Sequence, residues 1–275
     1  MRLKVALIGC GAIGTTLAQA IDKGKAGKVE LAWLYDFKSE KSEMLAKKLS
    51  SKPRIARNLA EICSDKTLGL VIEAASQLAI EQYSLDVLRS GKDIMVMSVG
   101  AFADEKMLKE VRSLAERSGR RVYIPSGAVL GIDGIKAAEL GEIKEATLTT
   151  RKPPAALAYS PYLEERGINL RGLKRPRVVF EGSAREAVKA FPQSVNVAAT
   201  LSLVGIGVDK TKVRIIADPK LDRNVHEIRV LGKAGEFVTE ARNVPFPDAP
   251  KTSYLATLSA IQTLRNLSES IRIGT

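Results

Sequence analysis

Histidine is almost missing from this chain: His226 is the only one in 275 residues. Cysteine is nearly as scarce, and Cys10 and Cys63 alone cannot supply a disulfide framework or a zinc site, so no metal is expected. Aromatic residues make up 5% of the chain, too few for the interleaved stacking platforms of single-strand nucleic-acid binders. No apolar run approaches the roughly 18 residues that a membrane-spanning helix needs. The opening "MRLKVALIGCG" enters a strand pattern at once and has no signal-peptide cleavage region, which points to a cytoplasmic protein. Repeats and low-complexity tracts are lacking as well.

Positive charge, in contrast, is plentiful. Lys and Arg number 43 against 31 Asp and Glu, a formal net charge of +12. The basic residues are scattered, as in "MLAKKLSSKPRIAR", and no helix-turn-helix pattern gathers them. A solvated basic surface that attracts small anionic ligands fits better than a nucleic-acid partner, and nucleotides and dicarboxylates are both anionic. No membrane or nucleic-acid partner is expected.

The stretch "LKVALIGCGAIGTTLAQAI" joins a buried strand, a glycine turn and a helix start. Gly9, Gly11 and Gly14 form G-x-G-x-x-G. The first permits the tight turn, the second lets a pyrophosphate approach the backbone, and the third lets helix and strand pack closely. The helix starts near Ala12 and Ile13 and points its free amides at the phosphates. A second strand, "KVELAWLYD", ends in Asp36, 22 residues past Gly14, where a carboxylate accepts from ribose hydroxyls. Asp36 favours NAD, while Lys38 is placed to pair with the 2′-phosphate of NADP, so either cofactor is admitted. Cys10, inside the turn, and Cys63, on a helix, are expected to be inert core residues.

Strands and helices then alternate through "LGLVIEAAS", "KDIMVMSVGA" and "RRVYIPSGA", the pattern of a doubly wound parallel sheet. Ligands of such sheets lie beyond the strand carboxyl ends. That places Ala75, Ser76, Ser98 and Ala128 at the rim of a nicotinamide site, with helix capping the competing role for the two serines. A Rossmann-type domain over residues 1–128 is the reading.

Past Gly131 the period changes. "IKEATLTTRKPP" alternates as a half-exposed strand, and Arg151 and Lys152 are expected at the surface. "AYSPYLEERGINLRGLKRP" reads as a loop or lid. "KTKVRIIADP" and "NVHEIRVLG" read as a hairpin joined by "KLDR", followed by the strand "GEFVTEARNVPF". Residues 129–250 are therefore expected to form a second, α+β domain with a mainly antiparallel sheet. In the closing helix, 251–270, Leu255, Leu258, Ile261, Leu264 and Leu267 form an apolar stripe expected to dock on the first domain.

On the strand "VHEIRV", His226 shares a side with Ile228 and Val230, so it points to the apolar face. An isolated histidine there is often structural. Beside a nicotinamide site it is also the side chain that titrates near neutrality unperturbed, as a dehydrogenase acid–base requires. Spacing alone leaves the two roles even.

The stretches "ALIGCGAIG", "IPSGAVLGIDGIKAA", "FPQSVNVAATLSLVGIG", "IIADPKLDRNVHEIRVLGKAGEF" and "NVPFPDAPKTSYLATLSAI" together resemble the L-aspartate dehydrogenase family along nearly the whole chain. The resemblance implies oxidation of L-aspartate with NAD or NADP, through iminoaspartate, to oxaloacetate and ammonia. It also implies supply of iminoaspartate to pyridine-nucleotide biosynthesis and a homodimer. The family's active-site histidine falls on His226, and its cofactor-contacting alanine and asparagine fall on Ala128 and Asn196. Asn196 has helix capping as its competing role. The two carboxylates of a dicarboxylic amino acid need partners, for which Asn224 and Lys251 are candidates, and Arg151 and Lys152 are weaker ones with an exposed surface role as the favoured alternative. The alternatives are a related enzyme acting on another small oxo or imino acid, like homoserine dehydrogenase or dihydrodipicolinate reductase, and a nucleotide-sensing regulator.

Overall fold

The computed structural model describes residues 2–158, 160–192, 196–246, 249–271 and 273–274, with the backbone alone at 249–252. Two compact units make up the chain: one runs to Pro125 and is rejoined from Thr257, and the other spans Ser126–Ala256.

The first unit alternates strand and helix: β1 (Leu3–Ile8), α1 (Ala12–Asp22), β2 (Val29–Tyr35), α2 (Ser39–Lys47), β3 (Arg54–Ile55), α3 (Leu59–Ser64), β4 (Leu70–Glu73), α4 (Gln77–Arg89), β5 (Asp93–Val96), α5 (Glu105–Ser118) and β6 (Val122–Tyr123). All neighbours in its sheet are parallel, in the order β3-β2-β1-β4-β5-β6. Chain direction across the sheet reverses between β1 and β4, and the crevice beyond their carboxyl ends is where such sheets bind ligands. Strands β1, β4 and β5 are nearly continuous apolar runs because helices cover both faces. Asp104 caps α5 by accepting from the Lys106 and Met107 amides, and Gly119 ends it in the left-handed conformation at φ 63°.

The second unit comprises α6 (Ile132–Glu139), β7 (Ile143–Lys152), α7 (Pro154–Leu157), α8 (Pro161–Glu165), β8 (Arg177–Ser183), α9 (Ala184–Ala190), α10 (Asn196–Val204), β9 (Lys212–Ala217), β10 (Asn224–Gly232), β11 (Gly235–Asn243), β12 (Pro245–Phe246) and β13 (Ala249–Ser253). Its five-stranded sheet has the order β11-β10-β7-β9-β8. Pairing is antiparallel except between β7 and β9, so the sheet is mixed. Helices α9 and α10 pack against β7, β8 and β9, and α9 opens on a reciprocal Ser183–Glu186 capping box.

Three sequence expectations change here. Strands β9 and β10 are not a hairpin, because β7 lies between them and pairs with both. The connection at 218–223 steps over the end of β7, where the Asp218 amide donates to the Lys152 carbonyl, 2.9 Å. A six-residue link spans the roughly 10 Å between next-nearest strands as readily as it closes a turn, so its length does not distinguish the two. The true hairpin is β10–β11.

The segment expected as a lid, 158–176, contains α8 and is preceded directly by α7, each started by a proline near its first position, where a missing amide costs nothing. The final helix, α11 (Tyr254–Asn266), buries Thr257, Ala260 and Leu264, while Leu258 is 40% exposed. Steps of three residues fall about 60° short of a full turn, so a run at 255, 258, 261 and 264 winds around the helix instead of staying on one face. Ala260 and Leu264 join the core formed by β1, β2, β4 and α1.

Candidate functional site

Three glycines shape the turn after β1, each through a different constraint. Gly9 has φ +96°, and a Cβ there would meet the Ala74 carbonyl oxygen at 2.5 Å, which fixes it in the crevice between β1 and β4. A Cβ on Gly14 would run into the Gly9 carbonyl, so only glycine lets α1 lie this close to the strand. Around Gly11 no heavy atom of the described residues beyond its chain neighbours and own helix lies within 4 Å of an added Cβ, so here the backbone faces open space. Gly11 is also the N-cap of α1, which has no side-chain cap and no acidic residue in its first turn. Free amides, open space and an uncompensated dipole end suit a pyrophosphate. Ala12 and Ile13 begin the helix, and Ile13 also packs on the core.

Asp36 lies just past β2 and turns back to this loop. Its Oδ2 accepts the Cys10 amide at 2.7 Å and its Oδ1 accepts the Lys38 amide at 2.9 Å, so the carboxylate is anchored beside the phosphate turn. Cys10 is buried, and burial above all pushes its thiol up to about 12, which leaves it an unreactive packing group. Cys63 is only half-buried on α3, not a full core residue.

The largest feature missed in the sequence is Glu73, which ends β4 and is 1% exposed. Its Oε1 accepts from the Ala75 amide (2.7 Å), the Ser76 amide (2.9 Å) and the Ser98 hydroxyl (2.7 Å). Its Oε2 accepts from the Ser98 amide (3.0 Å) and the Met97 amide (3.3 Å). Burial raises the pKa of this carboxyl, and the bonds from Ser98, Ala75 and Ser76 work against that. Glu73 thus ties together the loops that follow β4 and β5. Ala75 and Ser76 stay exposed there, and Ser76 caps α4 by accepting the Ala79 amide at 3.2 Å. Ser98 makes no side-chain cap; its hydroxyl is drawn inward to Glu73, and the loop after it winds into a 3-10 turn at Val99–Ala103. The one sequence signal for Glu73 was a carboxylate closing an otherwise apolar buried strand, where a charge must be paired.

In the second unit, polar side chains gather at one end of the buried sheet face. His226 on β10 is 4% exposed and sits opposite Thr150 of β7, whose Oγ1 lies 3.0 Å from His226 Nδ1. Burial first, and then the charge of Lys152, lower the imidazole pKa to about 3, so the ring is neutral through the ordinary pH range. Lys152 is 2% exposed, which overturns the surface role expected for it; Arg151, on the opposite face, is exposed. The alternation of "ATLTTRK" already put Ala146, Leu148, Thr150 and Lys152 on one side. Asn224, fully buried, donates from Nδ2 to Ser253 Oγ at 3.4 Å, while its Oδ1 has no hydrogen-bond partner among the described residues. Its β11 neighbour Asn243 donates to the Ala128 carbonyl at 3.0 Å, which holds the "SGA" turn against the sheet.

Asn196 is the first residue of α10 and is half-buried; it accepts at its carbonyl from the Thr200 hydroxyl, 3.0 Å. Residues 193–195, the middle of "FPQSVNVAAT", and the Lys251 side chain lie outside the described residues.

A parallel sheet in this order, with a glycine cradle at the reversal point and a carboxylate after β2, defines a dinucleotide-binding oxidoreductase. Two family profiles divide the chain between them: "Homoserine dehydrogenase, NAD binding domain" over residues 9–125, and "Aspartate dehydrogenase, C-terminal" over 133–267. L-Aspartate dehydrogenase of Methanosarcina mazei is 48% identical over 99% of this chain and 100% of its own length. That of Methanosarcina barkeri is 49% identical over the same shares. The crystal structure of aspartate dehydrogenase from Thermotoga maritima superposes with a TM-score of 0.79 at 31% identity, covering 100% of both chains. This chain belongs to the L-aspartate dehydrogenase family.

Proposed function

We propose that the protein is an NAD(P)-dependent L-aspartate dehydrogenase, converting L-aspartate and NAD(P)⁺ to iminoaspartate, NAD(P)H and a proton. Water then takes the imine to oxaloacetate and ammonia. The observation that carries this reading is His226, neutral and held at Nδ1 by Thr150, inside the stretch that matches the aspartate dehydrogenase profile. When bound, the nicotinamide supplies the hydride acceptor.

The first unit is the cofactor-binding domain. Gly9, Gly11, Ala12, Ile13 and Gly14 form the pyrophosphate cradle: Gly9, whose own amide donates to the Tyr35 carbonyl, and Gly14 shape the turn, and the amides at Gly11, Ala12 and Ile13 face the phosphates. Asp36 takes the adenosine ribose, which favours NAD over NADP. Ala75 and Ser76 form the rim, and Ser98 supports it through Glu73. Ala128 and Asn196 complete the cofactor contacts. The second unit carries the substrate chemistry, with Asn224 and Lys251 as substrate contacts. For His226 to act as base, Nδ1–H donates to Thr150 Oγ1 and Nε2 offers its lone pair to the substrate ammonium. The same nitrogen then moves the proton that water releases on attacking the imine carbon.

Among the described residues no helix is long and apolar enough to cross a membrane. A cytoplasmic homodimer that feeds iminoaspartate to pyridine-nucleotide biosynthesis completes the proposal. A spectrophotometric panel of L-aspartate, homoserine, alanine, glutamate and their oxo-acid counterparts with both cofactors tests it. L-Aspartate should be preferred by at least tenfold in kcat/KM. Preference for homoserine or for another panel member would overturn the reading.

A further inference from the structure

Glu73 is a buried carboxyl with no part so far beyond bracing two loops, and its hydrogen-bond partners are nearly all of one kind. The Ala75, Ser76 and Ser98 amides and the Ser98 hydroxyl donate to it. It also shares the Met97 amide, which bonds the Glu73 main-chain carbonyl at 3.1 Å. Four of these five partners are backbone N–H groups, which can only donate. A neutral carboxyl could offer its proton only to the Ser98 hydroxyl and would weaken the amide bonds, whereas a carboxylate uses all of them. Burial opposes the charge, and among the described residues no cation is one of the groups that act on it. Strand register fixes where this anion lies. Glu73 pairs with Ile8 of β1 on one side and with Val96 of β5 on the other. Ile8 leads directly into Gly9, whose added Cβ would meet the Ala74 carbonyl and the Ala75 amide. The carboxylate therefore stands beside the glycine turn and is bonded to both loops of the proposed nicotinamide rim.

We propose that Glu73 is the counter-charge of the oxidised nicotinamide, so that the site captures NAD(P)⁺ in preference to NAD(P)H. This rests on the rim placement proposed above and adds to it the redox form that the first unit selects. A buried anion with no cation of its own is costly, and a ligand that brings positive charge to this edge offsets the cost. The nicotinamide ring carries one positive charge when oxidised and loses it on accepting a hydride. The pyrophosphate and ribose contacts are the same in both forms, so the ratio of the two dissociation constants isolates the ring. Because the carboxylate is 1% exposed, water screens it poorly, and a unit charge several ångströms away feels it by about tenfold or more in binding. The reduced cofactor, no longer charged at the ring, is then held less tightly and released.

Two variants separate charge from bracing. Glu73→Gln keeps the size of the side chain and removes its charge, and Glu73→Asp keeps the charge and shortens its reach. On the full chain, Kd would be measured for NAD⁺ by calorimetry and for NADH by its fluorescence, with folding checked by thermal melting. The parent should bind NAD⁺ more tightly than NADH, and the reverse order would overturn the proposal even if no variant folds. Glu73→Gln should lower the Kd(NADH)/Kd(NAD⁺) ratio about tenfold. Glu73→Asp should keep that ratio within about threefold of the parent, even where both affinities fall. A residue that only braces the loops would weaken both forms alike, so an unchanged ratio in a folded Glu73→Gln would overturn the proposal. So would equal falls of the ratio in the Gln and Asp variants. A parent that shows the predicted ratios yet fails to oxidise L-aspartate would sink the substrate assignment and leave this inference standing.

Discussion

In the cofactor cradle the decisive residues have no side chain, whereas on the five-stranded sheet the candidate site is made of nothing else. Gly9, Gly11 and Gly14 act through what they leave out: space for a turn, for a ligand and for a helix. Lys152, Thr150, Asn224 and His226 act through groups held out of water. The cradle comes from one continuous stretch of chain, and the polar row comes from strands 76 residues apart in the Thr150–His226 pair. A local site can tolerate rearrangement elsewhere in the fold. A site assembled by strand pairing depends on the whole sheet keeping its register.

Glu73 offers the severest way to break the first of these regions. Glu73→Ala would strip the acceptor from the buried amide and hydroxyl of Ser98 and from the amides of Ala75 and Ser76, which water can still reach, while the Met97 amide keeps the Glu73 main-chain carbonyl at 3.1 Å. Each unsatisfied buried donor costs about 1–3 kcal/mol, so a loss of roughly 3–5 kcal/mol is expected in denaturant unfolding. A loss below 1 kcal/mol would mean the two loops hold their places without it.

The glycines allow a sharper comparison at a smaller scale. Gly14→Ala forces a methyl into the Gly9 carbonyl and should cost about 3 kcal/mol of stability. Gly11→Ala meets nothing in the fold, so stability should stay within about 1 kcal/mol while the KM for NAD(P)⁺ rises. Equal destabilisation by both would contradict the separate roles assigned to them.

The second region has its own signature in acid. The folded pKa of His226 is depressed to about 3 from an ordinary 6.5. The unfolded chain therefore binds a proton that the native one refuses as pH falls through that window. The stability this group contributes is present above about 6.5 and declines by up to roughly 1.4 kcal/mol per pH unit below it. Replacing His226 with Gln should flatten that part of the stability curve. Parallel acid limbs in the two proteins would show that the ring is not desolvated.

Legibility in the sequence follows the same division. The parallel sheet and its cradle could be read because glycine spacing and apolar runs are local requirements of one turn and one strand type. Glu73 escaped notice because its five donors come from two loops, the farther of them 25 residues away at Ser98. On the mixed sheet, alternation reveals the strands but not their order, because the short link between β9 and β10 suits a hairpin as well as the step over β7. Lys152 is of a residue type that favours the surface, although its parity with Leu148 and Thr150 marks it as inward-facing. The closing helix was read from leucine spacing alone, and Thr257 and Ala260 occupy the face that the larger residues were expected to fill.

Steady-state kinetics of His226→Ala, compared with the parent under saturating cofactor, tests the proton-handling role most directly. If the imidazole moves the proton in aspartate oxidation, kcat should fall by about 10²–10⁴-fold while cofactor binding persists. A folded variant that forms NAD(P)H from aspartate at a near-parental rate would contradict it.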